Sequence, residues 1–314
     1  MTSRALPAVT VNVFPGGFNW GSYVGQDKQL FAAEGISVAL QGTPNSVRQM
    51  TDLADGNFDI AMTAIDNIVA YVEGQGEAPI GAQPGFFAFM GSDSGFLNLV
   101  AAPGIRTIGD LAGRVVSVDA FTTGYAFVLY EILRRNGLDK NAGDYKVVSA
   151  GGMAQRWKAL FERQQDATLL SAPYNIMAQQ AGFVNLGNAI DILGTYQGNV
   201  AATRREWADR NADKIIAFIR GYRRSVTWLY EPLNRVEAIE ILRRHLPHFT
   251  ADAADAAYCE LLDARSGFFK TCNIDLAGVQ CVLDLRNQYS PRAGGLSDPA
   301  KYCDFSYAQI ATPA

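Results

Sequence analysis

Hydrophobic and polar positions follow two alternating periods between residues 34 and 71. Residues 36–40 carry an apolar side chain at every second position, which predicts a β-strand. Residues 47–56 repeat apolar side chains at helical spacing and end in a glycine, which predicts a helix. Residues 58–62 predict a second strand, and residues 63–67 open the next helix. Strand–helix–strand in so short a stretch implies two parallel strands joined by a right-handed crossover.

The same alternation of strand, loop and helix continues through the first 200 residues. One amphipathic helix is predicted to carry Tyr23, Leu30 and Phe31 and to end at Gly35, whereas residues 86–95 are predicted to be irregular. Further strands are predicted at residues 9–13, 78–82, 96–101, 114–118, 145–148 and 167–170. From Arg204 onward the pattern is helical, with an irregular tail from Pro291 to Ala314.

This order of elements predicts an α/β protein of two lobes. Each lobe is expected to be a mostly parallel sheet flanked by helices, and two hinge strands are expected to cross between the lobes. The predicted crossings divide the chain into a discontinuous first lobe, residues 1–97 and 201–314, and a second lobe, residues 98–200.

The loops that follow the predicted strands are the expected site of function, because small molecules bind beyond the carboxyl ends of the strands in open α/β sheets. Several of these loops place a small polar residue where a helix begins, and a helix N-terminus offers free N–H groups to an anion or a polar ring edge. The alternative is that these residues simply cap their helices. The candidate ligand-binding residues are Phe14, Phe18, Asn19, Trp20, Thr43, Asn45, Ser46, Thr63, Asp66, Asn67, Phe121, Thr122, Thr123, Tyr125, Gly152 and Tyr174.

The aromatic members of this set predict a ligand with a planar or apolar body, because aromatic rings pair by offset stacking and edge contacts. The chemistry expected at the other end of the ligand depends on where the Asp66 side chain lies. If Asp66 faces the cleft, it would select a donor such as an amino group on a pyrimidine. If it only caps its helix, the ligand is an acid held by Thr122, Thr123 and the nearby backbone.

Composition and charge exclude several other functions. The chain has 314 residues, which is enough for two domains, and a net charge of −4, so nothing indicates binding of nucleic acid. No segment approaches the ~20 apolar residues of a membrane helix. The two histidines, His245 and His248, lie in the predicted helical part with no further ligands nearby, and no phosphate-binding or dinucleotide motif is present. We therefore expect no cofactor, no metal and no catalytic residue.

All four cysteines lie in the last sixty residues, and no two have the C-x-x-C spacing of a zinc or redox site. Their even number fits one or two disulfides, and buried free thiols are the alternative. The four are Cys259, Cys272, Cys281 and Cys303.

Three segments resemble one group of transport proteins, the periplasmic solute-binding proteins for nitrate, sulfonate, taurine and the thiamine pyrimidine precursor. The matching segments are residues 53–61 (LADGNFDIA), residues 108–118 (IGDLAGRVVSV) and residues 166–174 (DATLLSAPY). The resemblance extends over roughly residues 9–230, and the order and spacing of the segments carry it.

This resemblance implies a type II periplasmic-binding-protein fold and a role as the solute-binding protein of an ABC importer. The two lobes would close on a small ligand by hinge bending, and the closed form would dock on a membrane permease. We expect a monomer in the periplasm. The first residues show no apolar segment of a secretory signal, which implies either that a leader was removed or that the protein stays in the cytoplasm.

Two other functions remain open on the same fold. The resemblance reaches cofactor-free lyases and decarboxylases, for which Asp66 and Asp119 would be the available carboxylates. The related pyrimidine synthases use a cleft histidine and a cysteine cluster that this chain lacks. A cytoplasmic ligand sensor is the third interpretation.

Overall fold

A computed structural model describes residues 5–81, 84–291 and 294–312 of the chain. Within these residues the strands form two five-stranded sheets. The first sheet has the order β2-β1-β3-β10-β4, and the second has the order β7-β6-β8-β5-β9. The strands are β1 (Ala8–Val13), β2 (Ser37–Gly42), β3 (Ile60–Ala64), β4 (Phe86–Gly91), β5 (Asn98–Ala101), β6 (Val115–Val118), β7 (Lys146–Ser149), β8 (Ala167–Leu170), β9 (Val184–Asn188) and β10 (Asn199–Arg204).

The two sheets share one arrangement of directions. In the first sheet β1 pairs in parallel with β2 and β3, while β10 is antiparallel to both β3 and β4. In the second sheet β6 pairs in parallel with β7 and β8, while β5 is antiparallel to both β8 and β9. In each sheet, the antiparallel strand is therefore the first strand that the chain forms after it crosses from the other sheet. The prediction of mostly parallel sheets is confirmed.

Helices follow most of the strands and cover the sheets. They are α1 (Trp20–Asp27), α2 (Leu30–Ala33), α3 (Ser46–Asp55), α4 (Ile65–Val72), α5 (Gly124–Arg135), α6 (Met153–Phe161), α7 (Tyr174–Gln180), α8 (Ala189–Leu193), α9 (Arg205–Arg210), α10 (Ala212–Tyr230), α11 (Arg235–His245), α12 (Ala251–Leu261), α13 (Leu276–Tyr289) and α14 (Ser306–Ala311). Among the described residues, no helix is both long enough and apolar enough to cross a membrane.

Three local predictions were wrong. The single helix expected around Tyr23 and Phe31 is two helices, because Gln29 takes a left-handed conformation (φ 56°) and breaks it. Residues 86–95 are not irregular throughout: β4 is an unbroken run of buried side chains, a pattern typical of a fully buried strand. No strand forms over residues 78–81, and residue 82 of that predicted strand lies outside the described residues.

Two chain segments cross between the sheets, residues 92–97 and residues 194–198. They pass so close that a Cβ placed on Gly198 would lie 2.1 Å from the backbone nitrogen of Gly95. After the second crossing, the chain pairs with the first sheet from Asn199 onward, as strand β10. The division into lobes at residues 97/98 and 200/201 stays a prediction.

The C-terminal third is helical as predicted and packs mainly on the first sheet. Phe218 on α10 stacks on Phe31 with ring centroids 5.4 Å apart. Part of the tail that was predicted to be irregular forms a 3-10 turn (Pro299–Tyr302) and α14, while residues 292–293 and 313–314 are outside the described residues. All four cysteines are free thiols, which decides between the two alternatives left open by the sequence.

Candidate functional site

A cavity of about 300 Å³ lies where the carboxyl ends of both sets of parallel strands meet. Phe14 and Thr43 line it just after β1 and β2, and Asp119 lines it just after β6. Gly151 and Tyr174 line it from the chain that follows β7 and β8. The cavity is thus the place where topology alone predicts ligand binding.

Most of the candidate residues from the sequence lie around this one cavity. Those that line it are Phe14, Phe18, Thr43, Asn45, Ser46, Asp66, Asn67, Thr122, Thr123, Tyr125, Gly152 and Tyr174. The structure brings together positions from residue 14 to residue 174, as expected if the loops of both sheets face each other. Whether they bind a ligand stays a prediction.

Four candidates do not line the cavity. Trp20 is fully buried in the core, where its indole N–H donates to the Ala238 carbonyl at 3.0 Å. Asn19 is buried beneath the cavity-lining loop and donates to the Phe14 carbonyl, and Thr63 is buried and accepts from Asn67. Phe121 is 48% exposed on the surface.

The position of Trp20 has a simple cause. The predicted loop after β1 is short, because Gly17–Asn19 forms a 3-10 turn and α1 begins at Trp20 itself. A residue in the first turn of a packed amphipathic helix can face the core, and Trp20 makes an edge contact with Tyr258 at 5.8 Å. The aromatic residues of this stretch therefore have two roles: Phe14 and Phe18 line the cavity, whereas Trp20 packs at the start of a helix.

The helix N-termini at the cavity differ in how they are capped. Asn45 caps α3, since its Oδ1 accepts from the Arg48 N–H at 2.8 Å. Thr123 precedes α5 but does not cap it, because its hydroxyl donates to Asp119 Oδ1 at 2.6 Å. Gly152, before α6, has no side chain to cap with. The N-cap residues of α5 and α6 therefore make no side-chain capping hydrogen bond, and the first turns of both helices line the cavity.

Asp66 is held by an arginine that the sequence analysis missed. Arg286 on α13 donates from Nε to Asp66 Oδ1 at 2.8 Å and from Nη2 to Asp66 Oδ2 at 2.7 Å, and both side chains are almost fully buried. Burial disfavours the charged guanidinium, but the adjacent Asp66 carboxylate outweighs it and raises the pKa of Arg286. The two residues are 220 positions apart, so the only sequence signal was an arginine among the apolar positions of α13.

Arg156 on α6 is a second missed arginine, and its environment is the opposite. It lines the cavity and is only 3% exposed, yet its guanidinium makes no hydrogen bond or ion pair with any described residue. Burial lowers the pKa of Arg156, and the more distant Asp119 and Tyr125 oppose this effect. A buried cation without a bonded partner is costly, and it is the clearest unsatisfied charge at the cavity.

The rest of the cavity wall is mostly apolar. Phe14, Phe18, Tyr125, Met153 and Tyr174 contribute rings and a thioether to it. Burial raises the pKa of Tyr125 and of Tyr174, so both phenols stay neutral near pH 7.

The lining residues include no histidine or cysteine. Across the described parts of the chain, no three or more His, Cys, Asp or Glu side chains are grouped so as to hold a metal ion. The described site thus offers two arginines, backbone N–H groups, aromatic rings and carboxylates.

Comparison of the whole structure with solved structures shows the same fold in several proteins. The ligand-binding component of an ABC-type import system from Staphylococcus aureus, with zinc bound, is 15% identical and has a TM-score of 0.77, with 98% of this chain and 99% of that chain covered. The alkanesulfonate-binding protein SsuA from Xanthomonas axonopodis pv. citri, bound to MOPS, is 12% identical with a TM-score of 0.77, covering 97% and 100%.

A Candida albicans protein described as having the generic periplasmic binding protein fold is 14% identical with a TM-score of 0.68, covering 98% of this chain and 94% of that chain. At these identities the likeness shows the fold alone, and it confirms the predicted fold class of the periplasmic binding proteins.

Sequence comparison identifies the family. No sequence among the curated proteins matches the chain. The sequence profile of the family described as NMT1/THI5-like matches residues 19–235, which is well over half of the chain and contains most of the loops around the cavity. The protein therefore belongs to the NMT1/THI5-like family, and its fold neighbours include sulfonate-binding and other ABC-import solute-binding proteins.

Proposed function

We propose that the protein is the solute-binding protein of an ABC importer. It captures a small organic ligand with a planar or apolar body and an anionic or polar end, and releases it chemically unchanged to a membrane permease. Two neighbours of the same fold support this, one named as a ligand-binding component of an ABC-type import system and one bound to MOPS. A monomer that works in the periplasm belongs to the same proposal.

One observation carries the proposal: a single cavity lined from both sheets, with apolar walls and a few convergent polar groups. Ligand pockets in proteins have this composition, and a volume of about 300 Å³ suits a small solute. The lining chemistry suits binding better than catalysis, because it offers N–H donors and rings around an enclosed space.

The two crossing segments supply the proposed hinges. The chain passes from one sheet to the other through residues 92–97 and returns through residues 194–198. These two segments contact each other at Gly95 and Gly198. A ligand that touches the loops of both sheets has more contacts in the closed state than in the open one. Binding then shifts the population toward the closed form by that difference in affinity.

The test is a binding screen of the purified protein against aromatic carboxylates, sulfonates and pyrimidines. A compound that binds the folded state raises the midpoint of thermal unfolding, and calorimetry then gives its affinity. We expect at least one class to bind, and mass spectrometry to recover the compound unchanged. If no class binds, or if a bound compound is converted, the proposed function is wrong.

The lyase alternative has no specific observation in its favour. A carboxylate would have to act as nucleophile or proton donor, and Asp66 is tied to Arg286 through both of its oxygens. Asp119 accepts a hydrogen bond from Thr123 at the edge of the cavity.

A further inference from the structure

The guanidinium of Arg156 is the one strongly buried charge at the cavity whose hydrogen-bonding partner is absent from the described protein. We propose that Arg156 binds the anionic end of the solute, a carboxylate or a sulfonate, and that this anion completes the site. This inference rests on the proposed function and narrows its ligand from an anionic or polar compound to an anion.

Hydrogen bonding sets Arg156 apart from the other cavity arginine. Arg286 is equally buried, but its Nε and Nη2 donate hydrogen bonds to Asp66, and its Nη1 donates to Gln75 at 2.9 Å. Arg156 Nε is buried and has no acceptor among the residues that the structure describes. Folded proteins rarely leave a buried charged donor unpaired, and functional sites are where they do.

The surroundings of Arg156 favour an anion over a second cation. Two helix N-termini reach the cavity from the same sheet, those of α5 and α6, and neither is capped by a side chain. Each contributes N–H donors and partial positive charge at its first turn. Arg156 itself lies in the first turn of α6, so its charge adds to that of the helix end.

The acidic groups nearby do not cancel this positive charge. Asp66 is neutralised by Arg286 in a direct ion pair. Asp119 lies too far from Arg156 for an ion pair and accepts the Thr123 hydroxyl instead. Glu77 accepts the Thr122 hydroxyl at 2.6 Å in an exposed contact. Selection of an amino group by Asp66 would have to compete with Arg286, so an anion fits this site better than an amine does.

Carboxylate and sulfonate share this chemistry, because both accept paired N–H donors from a guanidinium. The apolar wall made by Phe14, Phe18 and Tyr174 suits the body of such a compound. The probes are therefore benzoate and benzenesulfonate, each compared with neutral benzamide, which has a similar ring and no charge, and with 4-aminopyrimidine as the amine arm.

The experiment measures binding of these probes by calorimetry to the wild-type protein, to Arg156→Met and to Lys158→Met. Methionine replaces the arginine with an unbranched, apolar and shorter side chain, and so removes the charge. Lys158 is the matched control, because it lies on the same helix with an exposed side chain and does not line the cavity. We expect at least one anion to bind wild type better than benzamide, and Arg156→Met to weaken that anion at least about tenfold while Lys158→Met leaves it unchanged.

Thermal unfolding without probe separates a binding role from a structural one. If Arg156 serves to bind an anion, its charge is buried and unpaired in the ligand-free protein. Arg156→Met removes that unfavourable charge, so the variant should unfold at the same temperature as wild type or a higher one. An unfolding midpoint well below that of wild type would mean that Arg156 holds the fold, and would overturn the proposal.

The remaining outcomes distinguish the two proposals. Equal anion affinity in wild type and Arg156→Met overturns the role of Arg156. Binding of only benzamide or 4-aminopyrimidine overturns the anionic ligand but leaves the solute-binding function standing. If no probe and no compound of the wider screen binds, the proposed function fails, and the anion site fails with it.

Discussion

Asp93 is the most unusual single residue of the crossing segments. It is fully buried, and its Oδ1 accepts from the backbone N–H groups of Gly95 at 2.9 Å and Asn199 at 3.0 Å. These bonds tie the outgoing crossing to the first residue of β10. Burial nevertheless outweighs the hydrogen bonds and raises the pKa of Asp93 to about 6. A buried residue of a crossing segment therefore titrates near pH 6.

The raised pKa predicts a loss of stability as pH rises from about 4 to about 6. In this window the folded protein holds the Asp93 proton more tightly than the unfolded chain does, so raising the pH costs folding free energy, on the order of 2–3 kcal/mol. Asp93→Asn keeps an accepting oxygen and does not titrate. We expect denaturant unfolding across this pH range to show a shallower decline for the variant.

Exposed Asp252→Asn is the control for this measurement and should keep the wild-type decline. The neighbouring phenols of Tyr125 and Tyr222 do not titrate here, since burial raises the pKa of both. Glu260, whose pKa burial also raises, keeps its own contribution in every variant. Identical pH dependence in wild type and Asp93→Asn would contradict the prediction.

Gly124 lies at a close approach of the two halves at the cavity. It begins α5, and a Cβ added to it would lie 2.5 Å from the Cβ of Asp66 on α4, so the two helices would have to separate. We expect Gly124→Ala to lower the free energy of unfolding by about 1–3 kcal/mol and to weaken ligand binding. Thermal unfolding and calorimetry check both effects.

Gly109→Ala is the matched control, because its nearest neighbouring atom would be 3.7 Å from the new Cβ. If Gly124→Ala binds and unfolds like wild type, α5 and α4 do not meet as described.

Single residues were predicted best where local chemistry decides their role. Asn45 was a cap candidate from its place before an apolar helical repeat, and it does cap α3. Trp20 was wrongly predicted to line the cavity, and Arg156 was missed. Whether a helical side chain faces the core or the cavity depends on how its helix is rotated within the fold. No local pattern encodes that rotation, and the partner of Arg286 is likewise set only by tertiary packing.

At the scale of elements, α13 connects parts of the molecule that are far apart in sequence. It packs against α4, which follows the first sheet's β3, and against α5, which follows the second sheet's β6. Arg286 reaches Asp66 on one side and the Thr122 carbonyl, at 3.4 Å, on the other. The helix therefore couples the two cavity walls through one side chain.

Breaking this buried pair from one side should be strongly destabilising. Arg286→Met leaves the Asp66 carboxylate buried without its partner, and we expect a loss of about 3–5 kcal/mol of unfolding free energy. The double variant Asp66→Leu with Arg286→Met removes both charges and should recover much of that loss. A double-mutant cycle by denaturant unfolding measures the coupling.

Arg210→Gln provides the reference for an exposed pair, since Arg210 contacts Glu206 one helical turn away in solvent. It should cost less than about 1 kcal/mol. A cost for Arg286→Met no larger than that of Arg210→Gln would show that the buried pair does not hold α13 in place.

Element prediction succeeded where one period ran without interruption. Strands β1, β2, β6 and β8, and helix α3, agree with the sequence patterns within a few residues. Strand β4 was missed because all six of its residues are buried, so no alternation marks it. The break between α1 and α2 was missed because a left-handed glutamine, not a glycine, makes it.

For the whole molecule, the proposed function requires that the cavity walls move relative to each other. Arg48 on α3 and Lys158 on α6 are exposed and lie on helices whose N-termini line opposite sides of the cavity. With Cys259 replaced by serine, spin labels at Arg48→Cys and Lys158→Cys should report a shorter and narrower distance distribution when a ligand is added.

A label pair at Arg48→Cys and Arg210→Cys stays within the first sheet and its helices, so its distance should not change on ligand addition. An unchanged distance between the labels on α3 and α6, with a ligand shown to bind, would contradict hinge closure.

The overall architecture was predictable because connections constrain it more than side chains do. Repeated strand–loop–helix units imply parallel sheets, and their carboxyl ends imply where a ligand binds. The antiparallel direction of β5 and β10 was not predicted, since it follows from how each strand enters its sheet from the other half.

The place of β10 between β3 and β4 also sets an order of assembly during synthesis. On the ribosome, all strands of the second sheet are available once residue 188 has emerged, because β5 to β9 are consecutive in the chain. β4 has no strand partner in its sheet until β10 follows it, more than a hundred residues later. The nascent protein must therefore keep the hydrophobic β4 unpaired until β10 has been made, and an unpaired hydrophobic strand favours aggregation during that interval.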